Sequence, residues 1–446
     1  MMRRSAMLLI IALTLFMAIP AFADLQNVVV GGQVRISGHW YSVEGDHPGF
    51  NNEAIVEQRT RLNVRADFTD DVSAFIEMDD YEMWGGGSLT ASDFRSNYLT
   101  GVDSRANTSD DVELYQGYIE ANKMFGAPLR LRIGRQELKF GSAWLVGTGD
   151  SAPYFTGLSF DAVRATYATD TFSVDAFWSK LADTSPFEAD GDTDFYGVYA
   201  SCTAVENVTF DAYWLFVRDA LQGVNELHTL GLRSAGKLGG FHFEAEGAYQ
   251  FGDYDKAVFD VTNAQVFAGD HTDSWACNVL AGYFFECTWK PHPFIGFEYF
   301  DGGDGDDLAF NRLFSDARLG KTIDSGHWAL GGAPIFPNAN CSNLWLIHGG
   351  VTFNPTEKLM GLVHLCYATE NEDDWVTGVD AGHLGWELEA SGSYQYSKDL
   401  SLEAGYVRLF VDNTLKDGAR LVLNGTNVVA VPDDVNYFFF ETKISF

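Results

Sequence analysis

The chain has 446 residues, with 62 acidic against 29 basic side chains and a formal net charge of −33 at pH 7. Such a balance excludes a nucleic-acid partner, because a strongly acidic protein is repelled by a phosphate backbone. Aromatic residues at 15% and glycine at 45 positions also exclude a disordered acidic chain and fit a large ordered structure.

Residues 1–23 carry Arg3 and Arg4, then an apolar run from about Ala6 to Ile19, then Ala21-Phe22-Ala23. This is the three-part pattern of a secretory signal peptide, with cleavage expected after Ala23 and one mature domain over 24–446. Beyond it no run of about 18 apolar residues offers a transmembrane helix. The five cysteines, Cys202, Cys277, Cys287, Cys341 and Cys366, have no metal-site spacing; Cys202, Cys277 and Cys287 share the parity of apolar neighbours and read as small buried or lipid-facing residues, with a disulfide left open.

From Asn27 to Phe446, segments with period-two alternation recur, and eighteen of them read as strands. The gaps near 69–71, 123–128, 169–171, 204–206, 238–240, 290–292, 354–358 and 397–399 are short. Those near 44–53, 83–110, 140–158, 182–192, 219–225, 254–272, 301–341, 370–381 and 413–433 are mostly much longer. Short turns alternating with long loops predict a transmembrane antiparallel β-barrel in the outer membrane, with periplasmic turns and extracellular loops.

The first fully alternating strand shows the consequence. In QRTRLNVRADF, Arg59, Arg61 and Arg65 share one face and Leu62, Val64 and Phe68 the other. On a lipid face a basic residue costs about 2–4 kcal/mol near the midplane, so the arginines are expected to face the lumen. Similar parity places Arg130, Arg132 and Arg164 inward, with the acids Glu77, Asp79, Glu120, Asp175, Asp211, Glu244, Glu246, Glu286, Glu387 and Glu389. Basic groups thus dominate one arc and acidic groups the other. The arginines either attract an anionic solute or brace the wall by pairing with these acids.

The stretch RIGRQELKFGSAWLVG, followed by LSFDAVRATY, resembles the alginate export family of outer-membrane channels. The residues that carry the resemblance are Gly134, Arg135, Gln136, Phe140, Gly141, Leu145, Val146, Gly147, Phe160, Asp161, Val163 and Arg164. The resemblance implies a passive barrel through which an anionic polysaccharide or oligosaccharide crosses an arginine-rich lumen. The overall acidity departs from that pattern and keeps a porin for small hydrophilic solutes open, and behind it an adhesive or structural barrel. The final segment, ending in Phe446, resembles the signal by which the barrel-assembly machinery recognises its clients; outer-membrane lipid and lipopolysaccharide are the other expected partners.

No cofactor is expected, and no metal site is assigned. His348 and His364 stand symmetrically in the hairpin HGGVTFNPTEKLMGLVH as ordinary lumen histidines or a transition-metal pair without a third ligand. The acidic loops FDGGDGDDLAF and TENEDDW suit solvent or a divalent cation, without a calcium-loop spacing. An enzyme is not expected, since GxSxG and a Ser-His pairing are both missing. Val266, Phe267, Phe310, Leu313, Phe314 and Ile335 are too apolar for open loops, so segment 254–272 or 301–341 is expected to fold over or into the mouth.

Overall fold

A computed structural model describes residues 25–44, 53–84, 112–149, 157–183, 192–220, 225–254, 271–302, 309–316, 343–371, 383–413, 420–423, 427–430 and 434–446. The signal-peptide residues and Cys341 lie outside these, as do Val266, Phe267, Ile335 and most of the two acidic loops.

The strands are β1 (Asn27–Val43), β2 (Glu53–Thr69), β3 (Val72–Met83), β4 (Glu113–Ala121), β5 (Leu129–Gln136), β6 (Phe160–Ala168), β7 (Phe172–Asp183), β8 (Asp192–Val205), β9 (Val208–Asp219) and β10 (Asn225–Leu238). They continue as β11 (Phe241–Tyr254), β12 (His271–Tyr283), β13 (His292–Phe300), β14 (Leu344–Thr356), β15 (Leu359–Glu370), β16 (His383–Gln395), β17 (Leu400–Val411), β18 (Arg420–Leu423), β19 (Asn427–Ala430) and β20 (Val435–Ser445). Each of β1 to β16 pairs antiparallel with the next, β17 pairs with β20, and β20 pairs with β1. The result is a closed barrel of 18 strands, with β18 and β19 forming a separate hairpin. Closure removes every sheet edge, so every barrel strand has a hydrogen-bonding neighbour on both sides.

Connections sort as the sequence predicts. The turns 70–71, 122–128, 169–171, 206–207, 239–240, 284–291, 357–358 and 396–399 lie at one end, and the longer connections lie at the other. One boundary differs. Strand β12 ends at Tyr283, so the turn begins at 284 rather than near 290, and Glu286 is an exposed turn residue instead of an inward strand residue. Pro291 and Pro293 lack donors, and Trp289 (φ 71°) and Lys290 (φ 41°) take left-handed conformations that no ladder accommodates.

Alternation decides the faces. Val30, Leu62, Ile76, Ile119, Leu232, Ile295, Ile347 and Phe438 point outward and are exposed, an apolar outer belt that only hydrocarbon can cover. Trp178, Trp214 and Trp386 also face outward, towards the loop end. Among the described residues no helix is long and apolar enough to cross a membrane; the strands do that work. The buried apolar cluster lies inside the ring and is built largely around chain that leaves the wall after β5.

Candidate functional site: a constricted, charge-lined lumen

After Gln136 the chain turns inward. Leu138, Phe140, Trp144, Leu145 and Val146 are all buried within the barrel. Phe140 stacks on Phe177 of β7 (5.4 Å) and on Tyr199 of β8 (4.9 Å). Trp144 reaches the opposite wall at Phe300 of β13 (5.8 Å), so this loop crosses the lumen. A second segment, 309–316, enters from the other side and joins it. Val146 and Phe314 form a parallel bridge, held by Gly147 N donating to Phe314 O (2.9 Å) and Phe314 N donating to Leu145 O (2.9 Å). Asn311 exchanges two hydrogen bonds of 2.7 Å with Gln250 of β11. Phe310, Leu313 and Phe314, expected at the mouth from their apolarity, are therefore inside it.

The motif residues build the point where the chain departs. Gln136 is fully buried, and its Nε2 donates to Gly134 O (3.1 Å) and Ala162 O (3.0 Å). Gly134 has φ 128°, and a Cβ there would stand 2.2 Å from Gly117 O. Gly141 (φ 55°) brings the loop against Tyr199 and Arg233. Phe160 is buried against Phe314 (5.1 Å). Arg135 and Asp161, quoted with the same motif, lie on the outer face, where they form a two-point fork of 2.7 and 2.9 Å. Replacing Gly134 with alanine should therefore impair assembly. The backbone strain alone is worth about 1–3 kcal/mol before the clash with Gly117, and a lowered urea midpoint of the heat-modifiable band would register it.

The inward arginines are organised by pairing. Arg59 is fully buried and donates to Gln33, while Arg61 bonds Asp79 (2.9 Å) and lies over the Tyr115 ring (3.8 Å). Arg132 holds Glu120 (2.6 Å) and covers Tyr118 (4.2 Å); Arg164 holds Asp175 (2.7 Å) and covers Phe140 (5.0 Å). Arg130 donates to the Thr166 hydroxyl (3.3 Å). Arg65, with a side chain 40% exposed, bonds Asp67 (3.0 Å) and lies 3.8 Å from Glu120. Glu77 accepts from Gln116 (2.7 Å). Bracing of the wall is thus a real part of what these arginines do.

Two inward arginines on the barrel strands escaped the sequence reading, as did Arg312 of the inner segment, which is buried over the Phe300 ring (4.3 Å). Arg35 of β1 pairs with Glu441 of β20 (2.7 Å). Arg233 of β10 gathers Asp211 of β9 (2.7 Å) with Glu244 (3.1 Å) and Glu246 (3.7 Å) of β11, acids from the two strands that flank it. Each is a lone arginine in a nearly neutral strand, and only the inward parity of Gln33, Ser37 and Thr229 beside them marks the position. His348 and His364 do face each other, Nδ1 to Nε2 at 3.0 Å, beside Phe294. No group of three or more metal-ligating side chains occurs among the described residues. Cys202, Cys277, Cys287 and Cys366 form no disulfide there.

The inner wall is therefore asymmetric. Arg35, Arg59, Arg61, Arg65, Arg130, Arg132 and Arg164 stand on β1, β2, β5 and β6, whereas buried Glu298, Glu387 and Glu389 stand on β13 and β16. Glu57, Asp67, Glu77, Asp79 and Glu120 share the arginines' arc and pair with several of them, so that arc is mixed in sign and the far one is mainly acidic.

Comparison with solved structures finds the same architecture at low identity. Acinetobacter baumannii OccAB1 aligns over 95% of this chain and 98% of its own, with 13% identity and a TM-score of 0.59. Pseudomonas aeruginosa OpdO aligns over 95% and 98% with 12% identity and a TM-score of 0.57. Pseudomonas aeruginosa OccK8 (OprE) aligns over 95% and 99% with 12% identity and a TM-score of 0.56. All are outer-membrane porin barrels. No curated protein matches the sequence. The profile of the family described as alginate export matches residues 30–428, from β1 into β19. With that profile spanning nearly the whole barrel, the chain belongs to the alginate export family and is an integral channel of the outer membrane.

Proposed function

We propose that the channel passively conducts anionic saccharides of the uronate type, guided along the arginine arc of β1, β2, β5 and β6. The observation that carries this reading is the ladder's path. Arg65 and Arg130 lie next to the short turns at the periplasmic end, Arg132 follows, and Arg164 and Arg61 reach the constricting loop, Arg164 over Phe140 and Arg61 Nη1 4.0 Å from Glu137. Tyr115 and Tyr118 lie beneath Arg61 and Arg132 and hold those guanidinium groups in place along the path. Because Arg65, Arg132 and Arg164 are partly exposed and already paired with acids, a passing carboxylate is held weakly and released. Conduction of this kind needs no cofactor and no catalytic group. Outer-membrane lipid and lipopolysaccharide would cover the apolar belt, and Phe446 would serve recognition by the barrel-assembly machinery.

Arg59 and Arg61 are poor sites for a charge-reversal test, because they are buried and an acid there would face Glu57 or Asp79. Arg65 and Arg130 are better. The double variant Arg65→Glu, Arg130→Glu changes the periplasmic end by four charges and should assemble. Its reversal potential in low salt, where screening is weakest, should move towards cations. Block by oligouronates should weaken by roughly tenfold, the loss of about 1.4 kcal/mol of attraction. Unchanged block in a folded variant would refute uronate guidance and leave a porin for small hydrophilic solutes as the better reading.

A further inference from the structure

The outer face of β5 to β8 carries a row of charges that the lumen does not use. Register places Arg135 opposite Asp161, Asp161 opposite Lys180, and Lys180 opposite Asp194, one residue per strand with alternating sign. Their same-face neighbours Ile133, Trp178 and Val198 are exposed on the apolar belt, so the row sits on the outer wall. The contacts are close. Arg135 forks onto Asp161, Lys180 Nζ meets Asp194 (2.7 Å) and Asp192 (2.6 Å), and Trp178 Nε1 donates to Asp194 (2.9 Å). Charges facing hydrocarbon or its boundary are costly, and they persist where a specific partner and a specific task hold them.

Residues adjacent in a strand face opposite ways, so the inner surface directly behind this row consists of Gln136, Phe160, Ser179 and Phe195, all fully buried. These are the seat of the constriction. Phe314 packs on Phe160 (5.1 Å) and Phe195 (4.8 Å), and Phe140 packs on Phe177 (5.4 Å), two residues before Ser179. At the same level β5 and β6 part company: their last rung is Gln136 with Phe160, and beyond it the chain enters the lumen. Two strands that stop pairing where a crossing loop departs need another tie. Gln136 supplies one inside and the Arg135 fork supplies one outside.

We propose that the ion-pair row Arg135, Asp161, Lys180, Asp194 is the positioning element of the constriction, fixing from the lipid face the wall against which both inner segments dock. The row thereby sets the open area of the pore. It acts on the passage of any solute and does not depend on the uronate reading.

The test is the single-channel conductance of purified protein in planar bilayers in potassium chloride alone, with assembly verified by heat-modifiable migration. Asp161→Asn removes the carboxylate that lies between Arg135 and Lys180, Arg135→Gln cuts the fork from its other side, and Asp161→Glu keeps a carboxylate between the two cations. Glu44→Gln is the control, since it cuts an outer-face pair with Arg408 (2.6 Å) that joins β1 to β17, away from the constriction. Asp161→Asn should replace the single conductance level with several, widening the distribution at least about twofold as the docked loops gain alternative positions. Arg135→Gln should do the same, Asp161→Glu should return one level, and Glu44→Gln should match the parent. The proposal fails if assembled Asp161→Asn keeps the parent's level, or if Glu44→Gln broadens it equally. If Asp161→Asn does not assemble, Arg135→Gln decides: several levels support the proposal, whereas the parent's single level or non-assembly overturns it.

Discussion

Deleting residues 137–159 and joining Gln136 to Phe160 through an Asn-Gly turn should give an assembled barrel whose conductance rises by roughly threefold or more, because barrels of 16–18 strands are aqueous channels unless filled. The junction is feasible, since Gln136 and Phe160 are already paired across β5 and β6 and a two-residue turn closes such a pair. With the loop gone, segment 309–316 loses the Val146 bridge and its partners Leu145 and Gly147, while its ties to the wall through Gln250, Asp301, Phe160 and Phe195 remain. Phe160, Phe177, Phe195 and Phe300 would then face water, which lowers stability without opening the hydrogen-bonded ring. Conductance equal to the parent's in a folded deletion would mean that the crossing loop does not limit flow.

Arg233→Met should be the most damaging single substitution of a lumen arginine. It leaves Asp211, Glu244 and Glu246 converging around an empty position, with exposures of 2%, 17% and 5%. Breaking a buried ion pair by removing one partner typically costs about 3–5 kcal/mol. Tyr213, which donates to Glu246 (2.8 Å), would be the nearest remaining donor for that carboxylate. The measurement is the temperature at which the folded band converts on gels, compared with Arg132→Met, where Glu120 keeps Arg65 nearby (3.8 Å). A smaller fall for Arg233→Met than for Arg132→Met would show that its three acids are satisfied by water. The variant should also become more cation-selective, since one positive charge disappears beside three negative ones.

Strand number, loop polarity and the faces of the arginine ladder were legible because each depends on period-two alternation, which a slip of one residue would invert throughout. The same counting, carried from Arg130 and Arg132 to Arg135, puts Arg135 outward; the motif drew attention to the residue but not to its side. The crossing loop was harder. Leu138 to Val146 has no strand period and therefore reads as a gap, although its apolar content is as high as that of segment 309–316, which was expected to fold inward. The pairing of Arg35 with Glu441 joins residues 406 apart, and no local pattern announces such a contact.

That distant pairing has a kinetic meaning. Phe446 and Gly32 exchange two backbone hydrogen bonds of 3.0 Å, and β20 lies against β1 along its whole length. The first strand thus acquires its second neighbour only when the last one is present. All other neighbouring strands are linked by a single connection, but this seam closes nearly the entire chain, the slowest kind of contact to form by diffusion. An incomplete ring would expose the unpaired backbone of β1 and of the latest strand, and would collect in preference to any half-closed state. Agents that compete for extended edges should therefore act before closure and have no purchase after it, so resistance to them would time the last step of assembly.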